Sequence, residues 1–112
     1  MASPIVAIVE GQFLSGSPSA LYASPAGIYT QIVKLTCVNS DTATHQITVY
    51  LVPATGSASN ANVTTLVQAV QPNQVFNSPN EYAHVLNPGD QIVGYADTAG
   101  KVNIRVSGLL AS

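Results

Sequence analysis

The chain has 112 residues, which is room for about one domain, and only 7% of them are charged where about 25% is usual. Five acids stand against three bases, and Lys34, Lys101 and Arg105 are too few to track a phosphate backbone, so nucleic-acid binding is not expected. The single cysteine, Cys37, excludes an internal disulfide and implies no compartment.

The opening stretch, "MASPIVAIVEGQFLSG", has a short apolar run with no basic leader and with Glu10 close behind. Neither a signal peptide nor a membrane span is expected from it. Pro4 to Val9 is apolar at consecutive positions, as in strands covered on both sides. Two readings fit: an arm covered once by its own domain and once by a neighbouring subunit, or a core strand with an imperfect pattern. "SPAG" before Ile28 is a turn, and Tyr29 to Cys37 predicts a long strand with Val33, Leu35 and Cys37 inward. Thr44 to Val52 alternates, with Ile47, Val49 and Leu51 inward and Thr44, Gln46 and Thr48 outward. "PATGSASNAN" is a small-residue loop. Val63 to Val70 is apolar on both faces and has no predicted orientation.

"QPNQ" and "NSPN" bracket a short strand around Val75 and Phe76. In "NPGD", Pro88 presets φ and Gly89 takes the positive φ of a type II turn. Gln91 to Asp97 is the next strand. Gly100 in "DTAGK" suits a left-handed position before the last strand, Lys101 to Ser107, where Val102, Ile104 and Val106 share the inner face. About seven to nine strands predict an all-β, single-domain β-sandwich, jelly-roll or immunoglobulin-like, with an extended N-terminal arm. Residues 1–20 are assigned to the arm, expected between subunits, and residues 21–112 to the sandwich.

Reactive equipment is sparse. Cys37 ends a strand on its apolar face and reads as a buried structural thiol. His45 and His84, taken with Asp41 or Glu81, have no metal-ligand spacing. Asp41, Asp90 and Asp97 fall in turns, where a carboxylate caps local N–H groups. No nucleophile elbow or phosphate loop occurs, and "NVT" at Asn62 is only a formal glycosylation match. No catalytic, cofactor-binding or metal residue is assigned, and no enzyme is expected. The tyrosines at positions 22, 29, 50, 82 and 95 are the aromatic resource, and without tryptophan they make a weak sugar platform. A surface made of Thr, Ser, Asn, Gln and Ala costs little to desolvate, which suits a subunit that lives against neighbours.

Three segments, "LYASPAGIYTQIVKLTCVNSDTATHQITVYLVPATGSASNANV", "HVLNPGDQI" and "GKVNIRVSG", together resemble the small all-β virion proteins of tailed bacteriophages. The likeness covers roughly Leu21 to Gly108, and its motifs are structural. It implies a β-sandwich, a homo-oligomer (often a trimer), no catalysis, and a place on the virion after synthesis in the host bacterial cytoplasm. Capsid decoration (cement) proteins belong to this group, so the expected partners are further copies of the chain and the phage major capsid protein, with neither nucleic acid nor membrane. Exposed edges or arms that complete a neighbour's sheet would serve such a role. The alternatives are a tail or head–tail connector subunit and, with less support, a carbohydrate-binding module.

Overall fold

A computed structural model describes residues 5–112. Those residues form nine strands and no helix: β1 Ile5–Phe13, β2 Ser19–Ala23, β3 Tyr29–Asn39, β4 His45–Val52, β5 Val63–Val70, β6 Gln74–Ser78, β7 Val85–Leu86, β8 Gln91–Ala96 and β9 Val102–Ala111.

The pairing follows one rule. β4 pairs β5, β3 pairs β6, β2 pairs β8 and β1 pairs β9, all antiparallel, so the chain is one long hairpin folded back at the β4–β5 connection. Rolling that hairpin brings β9 beside β3 and β8 beside β4. Two sheets result, ordered β1-β9-β3-β6 (with β7 also on β3) and β2-β8-β4-β5. Of the two sandwich topologies expected, this is the jelly roll.

Rolling encloses one apolar core. Leu14, Ile32, Leu35, Cys37, Ile47, Val49, Ile92, Ala96, Val102, Ile104 and Val106 all lie in it, each almost wholly removed from water. Alternation decides which side chains go in: Val102, Ile104 and Val106 are buried, while Lys101 and Arg105 are exposed. The expected glycine turns are present, with φ of 75° at Gly27, 88° at Gly89 and 77° at Gly100. In "NPGD" the Asp90 N–H donates to the Asn87 carbonyl at 2.9 Å, closing the turn.

Three expectations change. Val33 is not a core residue: the β3–β9 register slips between Ile32 and Lys34, so Ile32 is buried and Val33 only half-buried, while Leu35 and Cys37 point inward as expected. Thr48 is buried rather than solvated. Of the segment assigned to an arm, Ile5 to Phe13 is β1, paired with β9 from Ile5↔Leu109 to Phe13↔Asn103, and Val9 enters the core. The boundary drawn after residue 20 falls within β2. Residues 1–4, which include Pro4 of the apolar run, lie outside the described residues.

Candidate functional surfaces

Each sheet has an outer face, and their chemistry differs. On the five-stranded sheet, cross-strand pairing sets side chains in rows. One row runs Phe13, Asn103, Val38, Val75, and another runs Ile5, Leu109, Gln31, Val85. The end positions are the most open: Ile5 is 65% exposed, Phe13 and Val75 are 57%, and Val85 is 54%. Between the rows lie Arg105, Thr36 and Asn77, and beyond them Lys34 and Ser107. The face is therefore apolar at its margins, with two cations in its middle. A shallow groove of about 350 Å³ opens here between Gly11, Gln12, Phe13, Asn103 and Arg105. Arg105 donates to the Glu10 carbonyl at 3.2 Å, which holds the guanidinium at the groove.

The four-stranded sheet is different. None of β2, β4, β5 or β8 contains Asp, Glu, Lys or Arg. Its outer face carries Tyr50 and Tyr95, whose rings stack with centroids 6.4 Å apart and planes 17° from parallel. They are diagonal neighbours, since Tyr50 pairs with Val93 and Thr48 with Tyr95. Burial, and then the Tyr95 phenol, raise the pKa of Tyr50. At the rim, Leu66 and Val67 are exposed on a bulge of β5, where Val67 has φ of 49° and donates its N–H to the Thr48 hydroxyl at 3.1 Å.

The ionisable groups gather elsewhere. At one end of the sandwich the buried His45 imidazole bridges two turns: Nδ1 lies 2.7 Å from Asp97 Oδ1 and Nε2 lies 2.7 Å from Asp41 Oδ2. A neutral imidazole has only one N–H, so two carboxylate contacts of that length need the imidazolium. The Asp41 contact, then Asp97, hold its pKa above the ordinary histidine value, and His45 in turn holds Asp41 below the usual carboxylate range. Asp97 also accepts the Gln46 N–H at 3.1 Å, and Asp90 accepts from Asn87 and Ala54. Asp90 caps the local Asn87 N–H as its turn position suggested, whereas Asp97 caps an N–H 51 residues away and the Asp41 carboxylate faces His45. His84 is exposed and distant from His45 in the fold, and among the described residues no group of three His, Cys, Asp or Glu side chains could hold a metal.

Cys37 is fully buried, and burial, with Glu81 second, pushes its thiol up to about 12. It is structural. Asn62 is tied into its loop, donating to the Ser57 carbonyl and accepting from Ser59 N–H. Two features had no clear sequence signal. Asp97 lies 52 residues from His45, so nothing local announces their pairing. Glu81 is 0% exposed, though "NSPNEY" reads as a surface turn. Compared with known proteins, the chain matches no family model, no curated protein and no solved structure.

Proposed function

We propose that the protein is a structural virion component of a tailed bacteriophage, a homotrimer that binds the outside of the assembled capsid shell and stabilises it as a cement protein. The observation that carries this reading is the four-stranded face, which no ionisable residue other than tyrosine occupies. Burying such a face against a neighbour strands no charge. The exposed Ile5, Phe13, Val75 and Val85 give the opposite face apolar contact area as well. Jelly rolls also build viral capsids and lectins, so the topology agrees with this reading without choosing it.

Anything that binds the assembled shell in preference to free subunits must stabilise the shell, increasingly with occupancy. The test compares shells with and without the protein by thermal melting, with electron microscopy to locate it. Equal melting temperatures, with density only at the tail or neck, would replace decoration by the tail or connector role. One observation favours a second reading: the Tyr50–Tyr95 pair, flanked on its face by uncharged side chains, is a surface on which a neutral sugar ring can stack. Glycan binding that is lost in Tyr50→Ala and Tyr95→Ala would favour a carbohydrate-binding module.

A further inference from the structure

Glu81 is enclosed completely, yet one of its carboxylate oxygens, Oε1, has no hydrogen-bond partner. The other, Oε2, accepts from the Thr64 and Thr65 hydroxyls, both at 2.6 Å. Among the described residues no lysine, arginine or histidine lies within ion-pair distance of it. An unpaired carboxylate in a core is among the most costly groups a fold can hold.

The surroundings are rich in oxygen, and the donors there, including the Asn80 N–H and side-chain amide, serve Oε2 and the hydroxyls but leave Oε1 without one. Thr64 Oγ1 has a single proton and two acceptors in reach, Glu81 Oε2 and the Val49 carbonyl at 3.2 Å. Thr65 Oγ1 stands 3.1 Å from Ser78 Oγ and 3.1 Å from the Asn80 side-chain amide. That amide can turn to present its oxygen instead of its nitrogen. The carboxylate, three hydroxyls, one carbonyl and one amide are thus linked in one contiguous cluster drawn from β4, β5, the end of β6 and the following turn, with contacting oxygens 2.6 to 3.2 Å apart.

We infer that this cluster is a buried binding site for a small hard cation, Na⁺, held by Glu81, Thr64, Thr65, Ser78 and Asn80. Hard cations take oxygen ligands of this kind. The charge fixes the valence: one carboxylate balances one positive charge, whereas Ca²⁺ would leave a net charge in the core. The ion would pin the segment from Ser78 to Glu81 onto β5, joining the rims of the two sheets.

The experiment melts the full chain in NaCl and in N-methyl-D-glucamine chloride at matched ionic strength. Na⁺ is expected to raise the melting temperature progressively with the logarithm of its concentration, and the unfolding equilibrium constant should fall about tenfold for each tenfold rise in Na⁺ above its dissociation constant. Glu81→Gln should abolish that dependence. If this variant does not fold, Thr64→Val at a half-buried position must weaken it. The wild-type protein should also broaden the sodium NMR resonance. Identical melting in both salts overturns the inference, as does an equal Na⁺ response in Glu81→Gln. A stronger response to CaCl2 than to NaCl overturns the choice of a monovalent ion.

Discussion

Gly108 in β9 is a position where a single added methyl group should be felt through packing alone, since its backbone is not left-handed. A Cβ placed there would stand 3.1 Å from Ile8 Cδ1, 3.2 Å from the Gln31 carbonyl oxygen and 3.2 Å from Thr30 Cγ2. Only the first neighbour can give way, since a Cδ1 can rotate. The Gln31 carbonyl belongs to the backbone of β3, paired with β9. Thr30 is pinned by its hydroxyl, 2.9 Å from Ser24 Oγ and 3.0 Å from Tyr22 Oη. Overpacking a closed core costs about 1–3 kcal/mol, offset by about 0.5–1 kcal/mol because alanine loses less chain entropy than glycine on folding. Gly108→Ala should therefore lose about 1–2 kcal/mol. For 112 residues the unfolding entropy makes each kcal/mol worth roughly 4 °C, so the melting temperature should fall by roughly 4–8 °C. Differential scanning calorimetry measures it. Adding Ile8→Val should recover only part of the loss, because two of the three contacts remain. A Gly108→Ala protein that melts at or above the wild-type temperature would refute the reasoning.

Thr65→Val keeps the side-chain shape but removes the hydroxyl that meets Glu81, Ser78 and Asn80; urea denaturation should show a loss of about 2–4 kcal/mol. The His45 bridge sets a pH window. Its pKa is raised when folded, so its contribution is complete below about 6.5 and is lost as pH rises through the folded value. Asp41 is lowered, so its contribution is complete above about 3.8 and is lost as pH falls through its own folded value. Urea midpoints should therefore be highest from these two groups between those limits, and His45→Gln should flatten the alkaline decline. Light scattering coupled to size exclusion should give a trimer; a monodisperse 11.5 kDa species at micromolar concentration counts against self-assembly.

The legible parts of the fold are those where one face of a strand meets core and the other meets water. β9 carries that alternation, and β4 carries it only in part because Thr48 is buried between Ile47 and Val49; Ile47, Val49, Ile104 and Val106 are buried as read. Bulges defeat the same logic: the extra residue at Val33 shifts the phase of β3, and only the ladder with β9 reveals it. β2, "SALYA", and β7, two residues long, are too short to show a polar–apolar alternation; they form because β8 and β3 offer unpaired edges. The turn role of Asp90 at the Asn87 N–H is local and hence readable. The burial of Glu81 and the His45–Asp97 contact depend on segments far apart in sequence, which periodicity cannot join.

The edges of the two sheets bear on how copies would meet. Edge-to-edge pairing needs a long, regular, unpaired strand. β1 is long enough, with nine residues, but its register with β9 shifts twice, and Gly11 takes φ of 107°. β5 also slips twice against β4, and its exposed Val67 is held at φ of 49°. A left-handed conformation at a β-branched residue costs about 1–2 kcal/mol. The rest of the fold must offset that, and the bulge it makes turns the edge away from a partner strand. β2 is short and also shifted. Completing a neighbour's sheet, the contact first expected of such a subunit, is therefore poorly served by these edges. The faces are better suited. The few charges are concentrated at the His45 end, inside at Glu81, in the Asp90 turn, and as Glu10, Lys34 and Arg105 on the five-stranded sheet, which leaves the broad Tyr50–Tyr95 face uncharged. A subunit built this way should pack face-on, with that surface as its most readily desolvated contact.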